Sequence, residues 1–202
     1  MFKKITYTFT ISLLALNSFS QNNSSEIHGD FDLNMQSYQE DEIIGAKAAD
    51  EIILNNAYLN INYTKGDFTA GLRYESYLNA LMDFDDNYKG NGIPFRYAAY
   101  SIDGLDVTVG NYYEQVGSGL IFRSYENKGL GADNAMDGIR LTYSPLKGVY
   151  LKSFIGKSRT YFTYADGIIR GADGEININE ALDFESKTRI IIGQGFVSRF
   201  QA

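Results

Sequence analysis

The sequence predicts an all-β protein: an antiparallel up-and-down transmembrane β-barrel of which about eight strands are present. Three observations predict this fold. Segments in which apolar and polar residues alternate recur along the chain. The connections between them are alternately short and long. After residue 20, no window holds the roughly 20 apolar residues that a helical membrane span needs. Since only helices and closed barrels satisfy all backbone groups in lipid, strands that cross a membrane must close into a barrel.

The first twenty residues have the pattern of a secretory signal peptide. Lys3 and Lys4 give a basic start, an apolar stretch covers 5–16, and small residues precede a cleavage position after Ser20. The barrel domain is then expected over 21–202. Of the 18 basic side chains, 16 would remain against 25 acidic ones, a formal charge of −9, so nucleic acid is not an expected partner. With no cysteine in the chain, stability is expected to come from the sheet.

The clearest alternation begins the mature chain. Between Ile27 and Gln36 every odd position is apolar or small and every even position is polar. This pattern indicates a strand with one face in an apolar environment and the other face in water. The predicted strands are 27–36, 53–64, 68–75, 95–100, 105–110, 139–143, 149–155 and 188–197.

The lengths of the connections predict an orientation. Tight links are expected at 64–67, 103–104 and 144–148, with long segments between the other strands. Outer-membrane barrels have short periplasmic turns and long outer loops, so we expect the mature N-terminus in the periplasm. A soluble sandwich remains the alternative. Because Phe200 is not the last residue, the chain is expected to be the N-terminal part of a larger barrel.

Charged residues at the polar positions are expected to line an aqueous interior. Asp30 and Asp32 would form an acidic wall at the height of Arg73, Arg96 and Arg140, and such a transverse field would select small polar solutes. Local pairing, for instance of Arg96 with Glu75, is the alternative. The expected lining residues are His28, Asp30, Asp32, Arg73, Glu75, Arg96, Asp106 and Arg140.

The segment 111–138 is the least strand-like. Its glycines permit tight turns, and Glu114 is expected to pair with Arg123 and pin a loop that folds into the pore. An ordinary surface loop is the alternative. The residues expected in a constriction are Glu114, Gln115, Gly117, Gly119 and Arg123.

The same segment carries a family resemblance. The stretch YEQVGSGLIFRSYE…LGADNAMDG, the segment GIIRGADGE at 167–175 and the residues GFVSR at 195–199 resemble a family of uncharacterised outer-membrane barrel proteins from Bacteroidetes. The resemblance implies a large barrel in the bacterial outer membrane. It brings no established activity and no binding residues.

These patterns predict a porin-like barrel that passes or binds small polar solutes, with outer-membrane lipid as its surroundings. A non-conducting scaffold with outer-membrane protein partners is the second hypothesis. A barrel hydrolase that uses His28, the only histidine, is the third. We expect no enzyme activity, no cofactor and no metal under the first two hypotheses.

Overall fold

Long β-strands dominate the described part of the protein. A computed structural model describes residues 25–82 and 84–201, so the expected signal peptide lies outside the described residues. The helical elements are two 3-10 turns (Asp86–Tyr88 and Lys128–Leu130) and α1 (Ile178–Ala181). None of these helical turns is long or apolar enough to cross a membrane. The strands are β1 (Ser25–Gln36), β2 (Leu54–Lys65), β3 (Phe68–Asn79), β4 (Gly90–Ile102), β5 (Leu105–Tyr112), β6 (Glu126–Asn127), β7 (Ala132–Asp133), β8 (Met136–Leu146), β9 (Val149–Thr160), β10 (Thr163–Tyr164), β11 (Ile168–Asn177) and β12 (Ile191–Phe200).

Nine long strands form one antiparallel sheet. Their order is β1-β2-β3-β4-β5-β8-β9-β11-β12, and the short β10 adds to β9. Strands β6 and β7 form a separate ribbon between β5 and β8. The all-β, antiparallel, up-and-down prediction is therefore confirmed. Within residues 25–82 and 84–201, β1 and β12 are the two ends of the path and do not pair, so the sheet is open there.

Two sequence predictions about the strands are wrong. A ninth long strand, β11, lies where a connection over 157–186 was expected; its glycines and its charges fall on both faces, which hides the two-residue period. The link after β11, residues 178–190, is long, although it leaves the sheet at the same end as the two-residue turns 66–67 and 147–148. The alternation of short and long links thus fails at the last connection.

The strand register separates a polar face from an apolar face. Directly paired residues in an antiparallel ladder point to the same side. Asp30, Asn60 and Arg73 are successive partners and define the polar face; Phe31, Leu59 and Tyr74 are successive partners and define the apolar face. Sixteen large side chains of the apolar face are 36% exposed or more: Ile27, Phe31, Leu33, Met35, Ile61, Leu72, Tyr74, Val109, Ile139, Leu141, Tyr143, Leu151, Ile155, Ile176, Ile192 and Phe196.

The sheet is strongly curled toward its polar face. Glu75 of β3 forms an ion pair with Arg159 of β9, and both side chains are almost fully buried. Four strand intervals separate β3 from β9, about 19 Å in a flat sheet at roughly 4.8 Å per interval. That distance exceeds the combined reach of a glutamate and an arginine side chain. The polar face is therefore concave, and the apolar face is the outer, convex one.

Strands β8 and β9 approach each other closely at a pair of glycines. Gly138 faces Gly156 across the ladder, and a Cβ on Gly138 would lie 2.0 Å from the carbonyl oxygen of Ile155. The Tyr112 hydroxyl donates to that same oxygen, at 3.1 Å. A side chain at Gly138 would therefore have to displace backbone.

We predict that Gly138→Ala destabilises the fold by about 1–3 kcal/mol, because overpacking forces the backbone to move. Gly129→Ala is the matched control, since its Cβ would meet no heavy atom closer than 3.4 Å. Urea unfolding of the purified protein measures both. Equal midpoints for the two variants would contradict the prediction.

Candidate functional site: the polar face and the inserted loop

The connection between β5 and β8 folds onto the concave face. We call residues 113–135 the inserted loop. Gly117 and Gly119 have positive φ angles of +55° and +86° and turn the chain back on itself, so that Gln115 and Arg123 meet in an isolated β-bridge. At positive φ glycine carries no steric penalty. The loop is thus a folded element.

Apolar side chains fix one half of the inserted loop to the sheet. Val116 is buried and packs in a cluster with Phe154 of β9. The ring of Phe122 stacks on that of Phe154 with centroids 5.1 Å apart. Ile169 and Val197 border the cluster from the last two long strands. The inserted loop therefore covers the part of the polar face nearest β12 with buried apolar side chains.

Buried ions fix the other half of the loop, in a group that we call the Glu75 network. Arg73 Nε donates to Glu75 Oε1 at 2.6 Å, and Arg73 Nη1 donates to Glu126 Oε1 of the loop at 2.8 Å. Arg159 Nη2 donates to Glu75 Oε2 at 2.6 Å. Both arginines also donate to Asp133 Oδ2. The carboxylate of Asp133 thereby joins β3 to β9. The sheet cannot flatten without breaking these buried ion pairs.

A second group, the Glu114 network, lies near the start of the loop. Glu114 accepts from Arg140 Nε at 2.6 Å and lies 3.0 Å from Lys152 Nζ. Lys152 Nζ also lies 3.4 Å from Asp173 Oδ2, which accepts from the backbone N–H of Gly117 at 2.7 Å. Arg140 and Lys152 keep 29% and 19% of their side-chain surface exposed, so this network faces more water than the first.

The expected partner of Glu114 was wrong. Its carboxylate meets Arg140 and Lys152, whereas Arg123 places its guanidinium 5.3 Å from the ring centroid of Tyr125. The loop lies on the concave face of the sheet, and the constriction stays a prediction. The Gln115 side chain donates to the carbonyl oxygen of Gly117 and supports the turn.

Arg96 lies on the face opposite to the one that was expected. Its register partner is Leu72, and the neighbouring pair is Arg73 with Phe95. Arg73 holds its guanidinium 4.9 Å from the Phe95 ring centroid, which places that aromatic side chain on the polar face. Arg96 instead pairs with Asp137 at 3.4 Å. The suggested alternative pairing of Arg96 with Glu75 is therefore also wrong.

The acidic residues expected to form one wall of a transverse field have local partners. Asp30 accepts from Asn60 at 2.8 Å, and Asp32 lies 3.7 Å from Lys128 Nζ of the loop. The register places Asp30 and Arg73 in one row, as expected, with Asn60 between them. Asp106 lies on this face close to the short turn at 103–104, and its carboxylate accepts from the Thr142 hydroxyl at 3.0 Å.

His28 occupies an exposed position on the edge strand β1. Its Nε2 lies 3.1 Å from Glu26 Oε2, and among the described residues this is its one side-chain hydrogen bond. A Ser-His-Asp arrangement needs a serine hydroxyl on that ring, and the described contacts supply none. The hydrolase hypothesis gains no support from this geometry.

Five residues of the two networks were missed at the level of sequence. Lys152 and Asp173 are register partners on the polar face, and correct assignment of β11 would have paired them. The others act through long-range contacts that no local pattern reveals. The missed residues are Glu126, Asp133, Lys152, Arg159 and Asp173.

Acidic groups in the connections respond to their surroundings in opposite directions. Burial raises the pKa of Glu126, although the charge of Arg73 opposes that shift. The backbone N–H of Asn87 and the hydroxyl of Tyr161 hold the pKa of the exposed Asp85 below its usual range. Desolvation therefore has the largest effect on the pKa of Glu126, whereas hydrogen bonds outweigh it at Asp85.

We predict that Glu75→Gln destabilises the protein by about 3–5 kcal/mol, because Arg73 and Arg159 would each lose a buried counter-charge. Glu175→Gln, on an exposed site of the same face, is the control and should change stability by less than about 0.5 kcal/mol. Urea unfolding of the purified proteins compares them. Similar midpoints would show that the ion pairs carry no such stabilisation.

Comparison with known proteins defines the family and no more. Searches of the curated proteins and of the solved structures found no match. The model of one family, described as a family of unknown function (DUF6029), matches residues 1–202. The resemblance to an uncharacterised family is confirmed in that respect. Since the match covers the whole sequence, the chain belongs to the DUF6029 family of unknown function.

Proposed function

We propose that this sheet is part of a porin-like β-barrel of the bacterial outer membrane that passes small polar solutes. One observation carries the proposal. Charged side chains are buried on the concave face, while the convex face leaves large apolar side chains uncovered among the described residues. This distribution is the reverse of that in a soluble protein, and it suits a wall between lipid and an aqueous interior.

The orientation follows from the turns. Residues 66–67, 103–104 and 147–148 link strands at the end of the sheet where β1 begins, and the segments 37–53 and 113–135 leave the opposite end. Short turns belong on the periplasmic side of such barrels, so the mature N-terminus would be periplasmic. The connection 178–190 departs from this rule.

Closure of the barrel requires strands beyond the nine. In an up-and-down path the first and ninth strands run in the same direction, so β1 and β12 would meet as parallel neighbours. Bacterial barrels of this class contain an even number of antiparallel strands. The remaining strands would complete the lipid-facing wall and enclose the inserted loop.

Within the barrel, the inserted loop would narrow the path. It contacts the polar face from Asp32 near one edge to Val197 near the other, through Lys128 and Val116. Solutes that pass would meet paired charges of both signs, an arrangement that favours small polar molecules over apolar ones.

A filled concave face also favours a second candidate, a non-conducting scaffold within an outer-membrane assembly. Loop side chains occupy the polar face on the β3 side and on the β11 side. Sealing by the same loop would leave a lipid-facing wall whose function is to bind other proteins.

The first test concerns the convex face. We predict that Leu141→Arg lowers the stability of the protein in lipid vesicles by about 2–4 kcal/mol, because the charge would enter hydrocarbon. The neighbouring Thr142→Arg is the matched control, because Thr142 lies on the polar face opposite Asp106. Urea unfolding in vesicles measures both. Equal stabilities would contradict a lipid-facing surface.

The second test separates the two candidates. The full-length protein in planar bilayers should give discrete conductance steps, and Glu114→Gln should enlarge them at least about two-fold by weakening the ion pairs that hold the loop. Glu42→Gln, in an exposed connection, serves as the control. Vesicle flotation must show insertion. If the inserted protein gives no conductance steps, either unchanged or as Glu114→Gln, the porin proposal is overturned and the scaffold is supported.

A further inference from the structure

A small polar cavity lies between the first hairpin and the inserted loop. We call it the hairpin pocket. Its volume is about 230 Å³, below the roughly 300–1,000 Å³ of sites for drug-sized ligands. Strands β1 and β2 form one wall, and the tip of the inserted loop forms another. The side chains that matter here are Asp32, Asn34, Gln36, Asn56, Tyr58 and Lys128.

The charges of the hairpin pocket compensate each other. Lys128 Nζ lies 3.7 Å from Asp32 Oδ2 and 4.4 Å from the ring centroid of Tyr58. The cation is thus held by a carboxylate and an aromatic face before any ligand arrives. An ionic ligand would have to break this arrangement, so the pocket suits a neutral molecule.

The remaining polar groups are mostly amides, and one of them is unsatisfied. Asn56 is 2% exposed; its Oδ1 accepts from the backbone N–H of Leu81, but its Nδ2 has no hydrogen-bond partner among the described residues. A buried donor without a partner is costly. A ligand hydroxyl seated in the pocket would accept from it. Asn34 and Gln36 extend along the same wall and both donate and accept.

We propose that the hairpin pocket binds a neutral sugar of monosaccharide size. Sugar hydroxyls both donate and accept hydrogen bonds, as do the amides that line the pocket. The inference rests on the proposed function, because it names the class of solute that the interior takes. Binding itself can be measured without a bilayer.

The test uses saturation-transfer NMR on the full-length protein in detergent micelles, with glucose, galactose, mannose and xylose as probes and glycylglycine as a zwitterionic comparator. At least one sugar should show transfer to its ring protons, and the dipeptide should show none. Asn34→Ala combined with Gln36→Ala should raise the dissociation constant of the sugar about ten-fold, because two neutral hydrogen bonds are lost.

The control removes two exposed amides outside the pocket, in Asn91→Ala combined with Gln194→Ala, and should leave sugar binding unchanged. A folded protein that binds none of the sugars, or only the dipeptide, overturns the inference. Equal binding by the pocket variant and the control also overturns it. Sugar binding without conductance would refute the porin proposal alone, and conductance without sugar binding would refute this inference alone.

Discussion

The ion pair between Glu75 and Arg159 determines the shape of the sheet. It joins β3 to β9 across the concave face, and both side chains are 1% exposed. Two arginines and three carboxylates meet there, since Asp133 and Glu126 of the inserted loop complete the group. Charges so far from water are tolerated only when each one is paired and hydrogen-bonded. Curvature of the sheet, position of the loop and burial of charge are therefore one coupled arrangement.

The inserted loop replaces the apolar core that a sheet of this size would need in water. A β-sheet in a soluble protein buries its apolar face against a second layer of strands or helices. Here the apolar face has no such layer among the described residues, and Leu141 and Ile155 remain more than a third exposed. Two small apolar clusters do form, one around Val116 and Phe154 and one around Tyr58 and Tyr77, and both lie on the polar side. The proposed contact of the convex face with lipid would account for this balance.

Alternation predicts strands well where one face is uniformly apolar and poorly elsewhere. β1 and β2 match their expected ranges within two residues at each end, because most of their polar positions carry amides or acids, such as Asp30, Asn34 and Asn60. β11 was missed because Arg170 and Asp173 fall on opposite faces. The face predicted for Arg96 was wrong because β4 carries aromatic side chains on the polar side. There the ring of Phe95 stacks on that of Tyr113 of the loop, with centroids 5.4 Å apart. The partners of Glu114 depend on contacts made only after folding, so no spacing in the sequence specifies them.

The two ion networks hold the inserted loop in surroundings that differ in their exposure to water. Glu126 and Asp133 join arginines that are 7% and 1% exposed, whereas Glu114 joins cations that keep 19–29% of their surface in solvent. Water replaces a lost partner easily at the second site and poorly at the first. We therefore expect the ion pairs of Glu114 to exchange with water more readily than those of Asp133, which joins the loop to β3 and β9 through Arg73 and Arg159.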